Sequence, residues 1–251
     1  IVKNSDRVLV YQMGKVGSTS LECSIDNAIH IHTLYLDNHT CEPRQAALFG
    51  CGFRFYFNKS KQRLINLIRR IAINSRSHIK VITLVRKPLE RNISMFFHDL
   101  DAYILNSQSK LLPDNSPLMT RGQNTDLLVS IFEQQFDHMY PLTWFDNEIK
   151  RYFGIDIYQE AFDKTTGFTN IKTSKVDLLC LDTEHLTNNV AIVEKFVGNK
   201  VSLLNENIAT NKWYAPLYEK FKEDYQVSDK IAKMLQESKF NQFFFEKMDI
   251  G

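Results

Sequence analysis

The four cysteines of this 251-residue chain show none of the spacings that bind metal ions. Cys23, Cys41, Cys51 and Cys180 form no C-x-x-C pair, and no histidine lies at zinc-finger spacing from them. We therefore expect no zinc site and a reducing compartment. If the protein is secreted, Cys41 and Cys51 are the pair that could form a disulfide.

Long apolar runs and a strong charge of one sign are also missing. No run approaches the roughly 18 apolar residues of a membrane-spanning helix. The formal net charge is +2, which gives no sign of a polybasic face for nucleic acid or anionic lipid. We predict no membrane span in this chain, no nucleic-acid partner and a cytoplasmic location. Because the chain begins at Ile1, a removed leader or anchor stays open, with the Golgi lumen as the alternative for a trimmed eukaryotic enzyme.

The chain does contain an alternation of strand-like and helix-like segments. Its 43% hydrophobic and 24% charged residues suit a globular protein, and we assign residues 1–251 to a single domain. Strands are predicted at 7–12, 29–36, 80–85 and 175–181. Helices are predicted at 18–28, 63–73, 88–105, 126–136, 143–154 and 188–198 and in the tail from 214. This order predicts an α/β fold with a mainly parallel central sheet flanked by helices, and the polar stretch 106–126 predicts a loop or lid.

A glycine loop follows the first predicted strand, where residues 10–20 read VYQMGKVGSTS. A strand, a glycine turn and a helix N-terminus together attract anions, because free backbone N–H groups and the helix dipole both favour negative charge. The Walker A order G-x-x-x-x-G-K-[ST] is absent, since Lys15 precedes Gly17. The loop therefore predicts a phosphate-like ligand but disfavours a conventional ATP or GTP site. An ordinary glycine turn is the alternative.

A second basic element follows a later strand, in VITLVRKPLERNISMFF at 81–97. Arg86 stands at the strand end, Pro88 at the helix start, and Ser94 two turns into the helix. An arginine in this place can bind a phosphate through two parallel hydrogen bonds. A solvated arginine and a surface serine are the alternative for either residue alone.

Together these two blocks resemble the sulfotransferases that use 3′-phosphoadenosine 5′-phosphosulfate (PAPS). K-x-G-[ST]-[ST] at 15–19 resembles the family's 5′-phosphosulfate loop, and R-x-P-x-x-R-x-x-S at 86–94 resembles its 3′-phosphate site. The strand VDLLCLDTEHL at 176–186 is similar to a family strand that ends in a Glu-x-Leu turn. Segments 141–158 and 211–221 resemble a bacterial group of capsular polysaccharide synthesis proteins.

This resemblance implies a P-loop-like sulfotransferase fold, PAPS as the donor, 3′,5′-ADP as the product and no metal. It assigns the 5′-phosphosulfate to Lys15, Val16, Gly17, Ser18, Thr19 and Ser20. It assigns the 3′-phosphate to Arg86 and Ser94, with Lys212 in a late loop that contacts the same group. Lys15 would also neutralise charge on the leaving oxygen.

An acceptor hydroxyl needs a general base, for which histidines after the second strand are candidates. In IHIHTLYL, side chains alternate, so His30 and His32 share one face of the strand. This pattern resembles the H-x-H of heparan-type uronyl 2-O-sulfotransferases, in which such a histidine serves the acceptor. We favour His32, with His98 as a further candidate and a packed strand histidine as the alternative.

Other residues receive weaker assignments. We expect Arg91 to pair with Glu90 or Asp99 on a helix surface. Glu184 would orient the lysine or a histidine, or cap a helix. Trp213 and Tyr214 would stack on adenine or on a sugar ring. The phenylalanines expected in the core are Phe96, Phe97, Phe243, Phe244 and Phe245.

The sequence thus predicts a PAPS-dependent sulfotransferase that acts on a hydroxyl-bearing acceptor, with a carbohydrate favoured. One alternative is a nucleotide or sugar kinase on a P-loop-like fold, which would turn over ATP with magnesium. The other is a non-catalytic, nucleotide-binding glycan-assembly protein. The sequence predicts neither the identity of the acceptor nor the oligomeric state.

Overall fold

A five-stranded sheet forms the centre of the protein in the computed structural model. The structure describes residues 7–17, 21, 23–26, 28–35, 53–104, 125–203, 212–246 and 249–251. The strands are β1 (Leu9–Tyr11), β2 (Ile29–Ile31), β3 (Ile79–Val85), β4 (Phe168–Lys172) and β5 (Val176–Asp182). Their order is β2-β1-β3-β5-β4, with β4 antiparallel to β5 and every other pair parallel. The predicted α/β fold with a mainly parallel sheet is confirmed.

The burial of the two longest strands, β3 and β5, shows that the sheet lies at the centre of the protein. Along β3 and β5 every side chain is buried except those of Lys80 and Asp177, which are half-buried. Since successive side chains point to opposite faces, burial of nearly all of them means that both faces are covered. The continuous apolar runs of these strands reflect that position.

Helices flank the sheet. They are α1 (Phe53–Asn74), α2 (Pro88–His98), α3 (Thr125–Gln135), α4 (Tyr140–Trp144), α5 (Arg151–Phe153), α6 (Val190–Val197), α7 (Ala215–Asp224), α8 (Asp229–Gln236) and α9 (Lys239–Phe244). A π-helical turn, Phe145–Lys150, joins α4 to α5, and 3₁₀ turns lie at Ile157–Gln159 and Thr183–His185. Gly198 ends α6 with a left-handed φ of 90°, as its position after the helix predicted.

Three elements differ from the sequence-based prediction. The helix predicted at 63–73 begins ten residues earlier, at Phe53, in a stretch without clear apolar spacing. Strand β2 stops at Ile31 because residues 33–35 turn away to bind a buried carboxylate. Strand β4 was missed, since it is a short edge strand, FTNIK, with weak alternation. The predicted lid is largely outside the described residues, which resume at Thr125 as α3 begins.

The carboxyl ends of β1, β2 and β3 are tied together by one buried glutamine. Gln12 is fully buried, and its backbone N–H donates to the carbonyl oxygen of Ile31 at 3.1 Å. Its side-chain Oε1 accepts from the backbone N–H of Leu84 at 3.1 Å. The side chain thus continues the hydrogen bonding between β1 and β3 where the short strand β1 has ended, and it holds the start of the glycine loop in place.

An aromatic cluster fixes the end of α2 against the tail. Phe97 packs against Phe221 with ring centroids 5.3 Å apart, and against Tyr214 at 5.9 Å. Four of the five phenylalanines predicted in the core are buried, and Phe243 is partly buried. Tyr214 is buried too, so its predicted stacking on a ligand ring is wrong, whereas Trp213 is 66% exposed.

Within the part of the chain that the structure describes, no helix is long and apolar enough to cross a membrane. In the same part, no group of three or more histidines, cysteines, aspartates or glutamates is placed to hold a metal ion. Cys180 is buried and Cys23 exposed, both as free thiols, while Cys41 and Cys51 lie outside the described residues.

Candidate functional site

The glycine loop, residues 14–17, leaves the carboxyl end of β1 in a tight turn. Lys15 and Gly17 both have left-handed backbones, with φ of 70° and 80°. For a lysine this conformation costs on the order of 1–2 kcal/mol, so the surrounding structure must enforce it. A non-glycine residue held in this way is typical of functional loops. Ser18, Thr19 and Ser20, the predicted hydroxyl donors, lie outside the described residues.

Thr183 supports this loop from the 3₁₀ turn that follows β5. Its hydroxyl lies 3.0 Å from the carbonyl oxygen of Val16 and 2.7 Å from that of Val85, the last residue of β3. Its methyl group would stand 3.2 Å from a Cβ at Gly17, which leaves little room for any side chain there. One threonine therefore links the loop to the ends of two strands. The sequence did not single out Thr183, although it lies two residues after the predicted strand end.

Arg91 supports the loop from α2. The side chain is almost fully buried, its Nε donates to the Gly14 carbonyl oxygen at 3.0 Å, and its guanidinium lies 4.7 Å from the ring centre of Tyr140. Burial lowers the pKa of Arg91 to about 10. The predicted surface ion pair with Glu90 or Asp99 is wrong, because Arg91 faces inward beneath the loop. A permanent positive charge is thus placed directly under the backbone of the turn.

Positive charges converge on Lys15. Partial burial lowers its pKa, and the positive charges of Lys212, Arg86 and Arg91 lower it further, while Asp99 acts in the opposite direction. The structure therefore brings together Lys15, Arg86 and Lys212, three residues that are far apart in sequence, and adds Arg91. Cations that repel one another in this way form a site that an anion would stabilise.

Arg86 lies just before α2 and Ser94 lies within it, both toward the glycine loop. Arg86 donates from Nε and Nη2 to Oε2 of Glu90, at 3.1 and 3.0 Å. An incoming phosphate would therefore meet Nη1 or would have to replace Glu90. Ser94 is half-buried, and it shares a helix side with Arg91 and Met95, whose Sδ would be 3.8 Å from a Cβ at Gly14.

The two strand histidines stand beside the loop. Their ring centroids are 4.2 Å apart, so His30 and His32 do share one face. His32 Nδ1 lies 3.0 Å from the carbonyl oxygen of Gln12. Because a carbonyl oxygen can only accept, Nδ1 carries the proton in the neutral ring, and Nε2 then carries the lone pair. This is the tautomer that a general base at Nε2 requires. The side chain of His32 is exposed.

A buried carboxylate positions the segment that follows His32. Glu148, in the π-helical turn, accepts from the hydroxyl groups of Tyr11 and Thr33 and from the backbone N–H of Leu34 at 2.8 Å and of Tyr35 at 3.4 Å. Burial raises the pKa of Glu148, whereas these donors act in the opposite direction. No pattern in the sequence indicated that Glu148 is buried, since a glutamate inside a helical pattern is expected on the surface.

Helix α4, which continues into this π-helical turn, contacts His32 directly. Trp144 Nε1 donates to the His32 carbonyl oxygen at 3.1 Å. Beyond His32, a groove of about 520 Å³ opens beside Tyr35, lined also by Arg63, Arg70 and Arg151. The guanidinium carbons of Arg70 and Arg151 lie 4.6 and 3.8 Å from the Tyr35 ring centre. The groove is therefore basic and contains an aromatic ring.

The remaining candidates have other surroundings. Glu184 forms an ion pair with Lys87 at 3.0 Å, so the proposal that it orients Lys15 or a histidine is wrong. His98 is exposed at the end of α2, two turns beyond Arg91. Lys212 is exposed beside Trp213.

A comparison with protein families identifies one match. Residues 119–246, which are 128 of the 251 residues, match the model of the NKWYS family, described as "Putative capsular polysaccharide synthesis protein". No curated protein and no solved structure matches the chain. The matched part contains Glu148, Thr183 and Lys212, while the glycine loop, His32 and Arg86 precede it.

We expect Glu148→Gln to lower the free energy of unfolding by about 3 kcal/mol, because an amide nitrogen in place of either carboxylate oxygen would face a backbone N–H, of Leu34 or of Tyr35, which can only donate. Urea unfolding followed by circular dichroism measures this change. Glu160→Gln, at an exposed position, is the matched control and should leave stability unchanged. A loss below about 1 kcal/mol for Glu148→Gln would show that the carboxylate does not hold segment 33–35.

We expect Lys15→Met to raise stability at neutral pH and low salt, because it removes a partly buried cation that three others repel. The gain should be complete below the lowered pKa of Lys15 and shrink as the pH rises toward the ordinary lysine value. Lys15→Gly should raise the free energy of unfolding by about a further 1 kcal/mol, since glycine adopts a positive φ without strain. Sulfate should raise the melting temperature of the wild type more than that of Lys15→Met. Variants less stable than the wild type would contradict this electrostatic interpretation.

Proposed function

The chain belongs to the family described as "Putative capsular polysaccharide synthesis protein", and on that premise we propose that it is a sulfotransferase. It would move a sulfuryl group from PAPS to a hydroxyl of an acceptor, with a saccharide as the acceptor. The observation that carries the proposal is the group of cations around the glycine loop, in which Lys212, Arg86 and Arg91 lower the pKa of Lys15.

The residues of this site suit a donor that carries several negative charges. The loop lies at the carboxyl ends of parallel strands, where α/β proteins bind ligands. One phosphate alone would not require cations from the loop, from the entry of α2 and from segment 212–214. A donor with a 5′-phosphosulfate at the loop and a 3′-phosphate near Arg86 would account for cations in these separate places. The lysine order of a Walker A loop is absent, which favours PAPS over ATP.

Lys15 is suited to the leaving group. Sulfuryl transfer breaks the bond between sulfur and the bridging oxygen, and negative charge develops on the released 5′-phosphate. A lysine with a lowered pKa can both neutralise this charge and give up a proton to it. The strained φ of 70° fixes the direction in which the side chain leaves the loop. The Arg91 charge under Gly14 would stabilise the same developing anion.

His32 is suited to the acceptor. Its Nε2 would take the proton of the attacking hydroxyl while the new sulfur–oxygen bond forms. The hydrogen bond to Gln12 sets the tautomer, Trp144 holds the carbonyl group of His32, and Glu148 holds the backbone that follows it. These are positioning contacts rather than catalytic ones. The groove beside Tyr35 begins at Leu34, two residues after His32, and offers room for a sugar chain.

We expect Lys15→Ala and His32→Ala each to lower sulfate transfer at least about a hundredfold, since each would remove proton transfer or charge stabilisation in the transition state. Labelled PAPS with a panel of capsular polysaccharides measures the transfer. His78→Ala is the matched control, because His78 lies before the amino end of β3.

Two results would contradict these roles. Unchanged transfer in both Lys15→Ala and Arg86→Ala, with the fold intact, would remove the donor site from the loop. Near-normal turnover in His32→Ala, with donor binding retained, would move the base to His30 or His98.

A further inference from the structure

Helix α1 carries an unusual share of the exposed apolar surface. The described part of the chain has nine exposed large hydrophobic side chains, and seven of them lie on this helix. They are Phe53, Tyr56, Phe57, Leu64, Leu67, Ile68 and Ile71. Phe53 is 83% exposed and Ile71 is 62% exposed, so the exposed set extends along nearly the whole helix. An exposed apolar surface of this extent indicates a contact with something beyond the described structure.

These seven residues form one stripe, which we call the apolar stripe of α1. At 3.6 residues per turn they fall within an arc of about 120° around the helix. The side of α1 that packs on the protein is different: Asn66 and Ile73 are buried there, roughly opposite the stripe. Most of the stripe therefore points away from the rest of the described structure, while Leu64 and Leu67 also line the groove beside Tyr35.

The charges on α1 are all positive. Its 22 residues include Lys59, Lys61, Arg63, Arg69 and Arg70 and, in sequence, Arg54, but no aspartate or glutamate. Lys61 and Arg63 project from opposite edges of the stripe on the same helical spacing. The net charge of +2 concealed this basic helix, because acidic residues elsewhere balance it. The expectation of no basic face for anionic lipid is therefore wrong for α1.

We propose that α1 binds the surface of an anionic lipid membrane, with the apolar stripe inserted among the acyl chains and the flanking cations at the head groups. An apolar arc bordered by lysine and arginine is the pattern of helices that lie in the membrane interface. A second copy of this chain is the competing occupant. Charge disfavours it, since two acid-free helices would bring like charges together. The proposal does not rest on the proposed sulfotransferase activity, although Leu64 and Leu67 also line the groove offered above to the acceptor.

Vesicle co-sedimentation of the whole protein tests the proposal. The probes are vesicles of phosphatidylcholine with phosphatidylglycerol and vesicles of phosphatidylcholine alone. We expect binding to the anionic vesicles, weakened by salt, and at least about tenfold weaker in the triple variant Phe57→Gln, Ile68→Gln, Ile71→Gln, whose positions lie outside the groove beside Tyr35. Glutamine keeps helix propensity, and these side chains are exposed, so the variant should fold. Met139→Gln, at an exposed apolar position outside α1, is the matched control and should bind like the wild type.

Three results would overturn the proposal. The first is no sedimentation with anionic vesicles. The second is equal sedimentation of the wild type and the triple variant. The third is a dimer, measured by light scattering, that becomes a monomer in the triple variant while vesicle binding is absent. That last result would assign the stripe to contact between copies.

Discussion

Repulsion among the cations at the carboxyl edge of the sheet is the constraint on which the candidate site depends. Lys15, Arg86, Arg91 and Lys212 come from three separate parts of the chain, and the last three charges all disfavour the charge of Lys15. Such an arrangement persists only where packing and hydrogen bonds hold each element in place. An anion bound there would offset the stability that this repulsion costs. The protein can therefore be understood as a scaffold that keeps these charges close together.

Each part of the fold contributes to this scaffold. Gln12 joins the ends of three strands just before the loop. Thr183 attaches the loop to β3 and β5, and Arg91 supports it from below. On the other side, Glu148 gathers the backbone that follows His32. The glycine loop with Lys15 and the segment with His32 are thus both fixed by buried polar contacts, which would give the two proposed reactive groups a defined separation.

The sequence predicted the parts of the fold that repeat a local signal. Apolar runs located β3 and β5, and Pro88 and Gly198 located helix ends. It could not predict Arg91, Thr183 or Glu148, because their importance comes from neighbours distant in sequence. A buried arginine and a surface arginine look alike until the fold is known. The net charge of the whole chain likewise gave no sign of the basic helix α1, because acidic residues elsewhere balance its cations.

The most direct test of the account is calorimetric binding of 3′,5′-ADP, 5′-AMP and ATP without magnesium, for the wild type and Arg86→Ala. The account predicts that the wild type binds 3′,5′-ADP at least about tenfold more tightly than 5′-AMP, because the 3′-phosphate gains charge-assisted hydrogen bonds. Arg86→Ala should remove most of that preference. Equal affinities for 3′,5′-ADP and 5′-AMP, or tighter binding of ATP, would contradict a PAPS site.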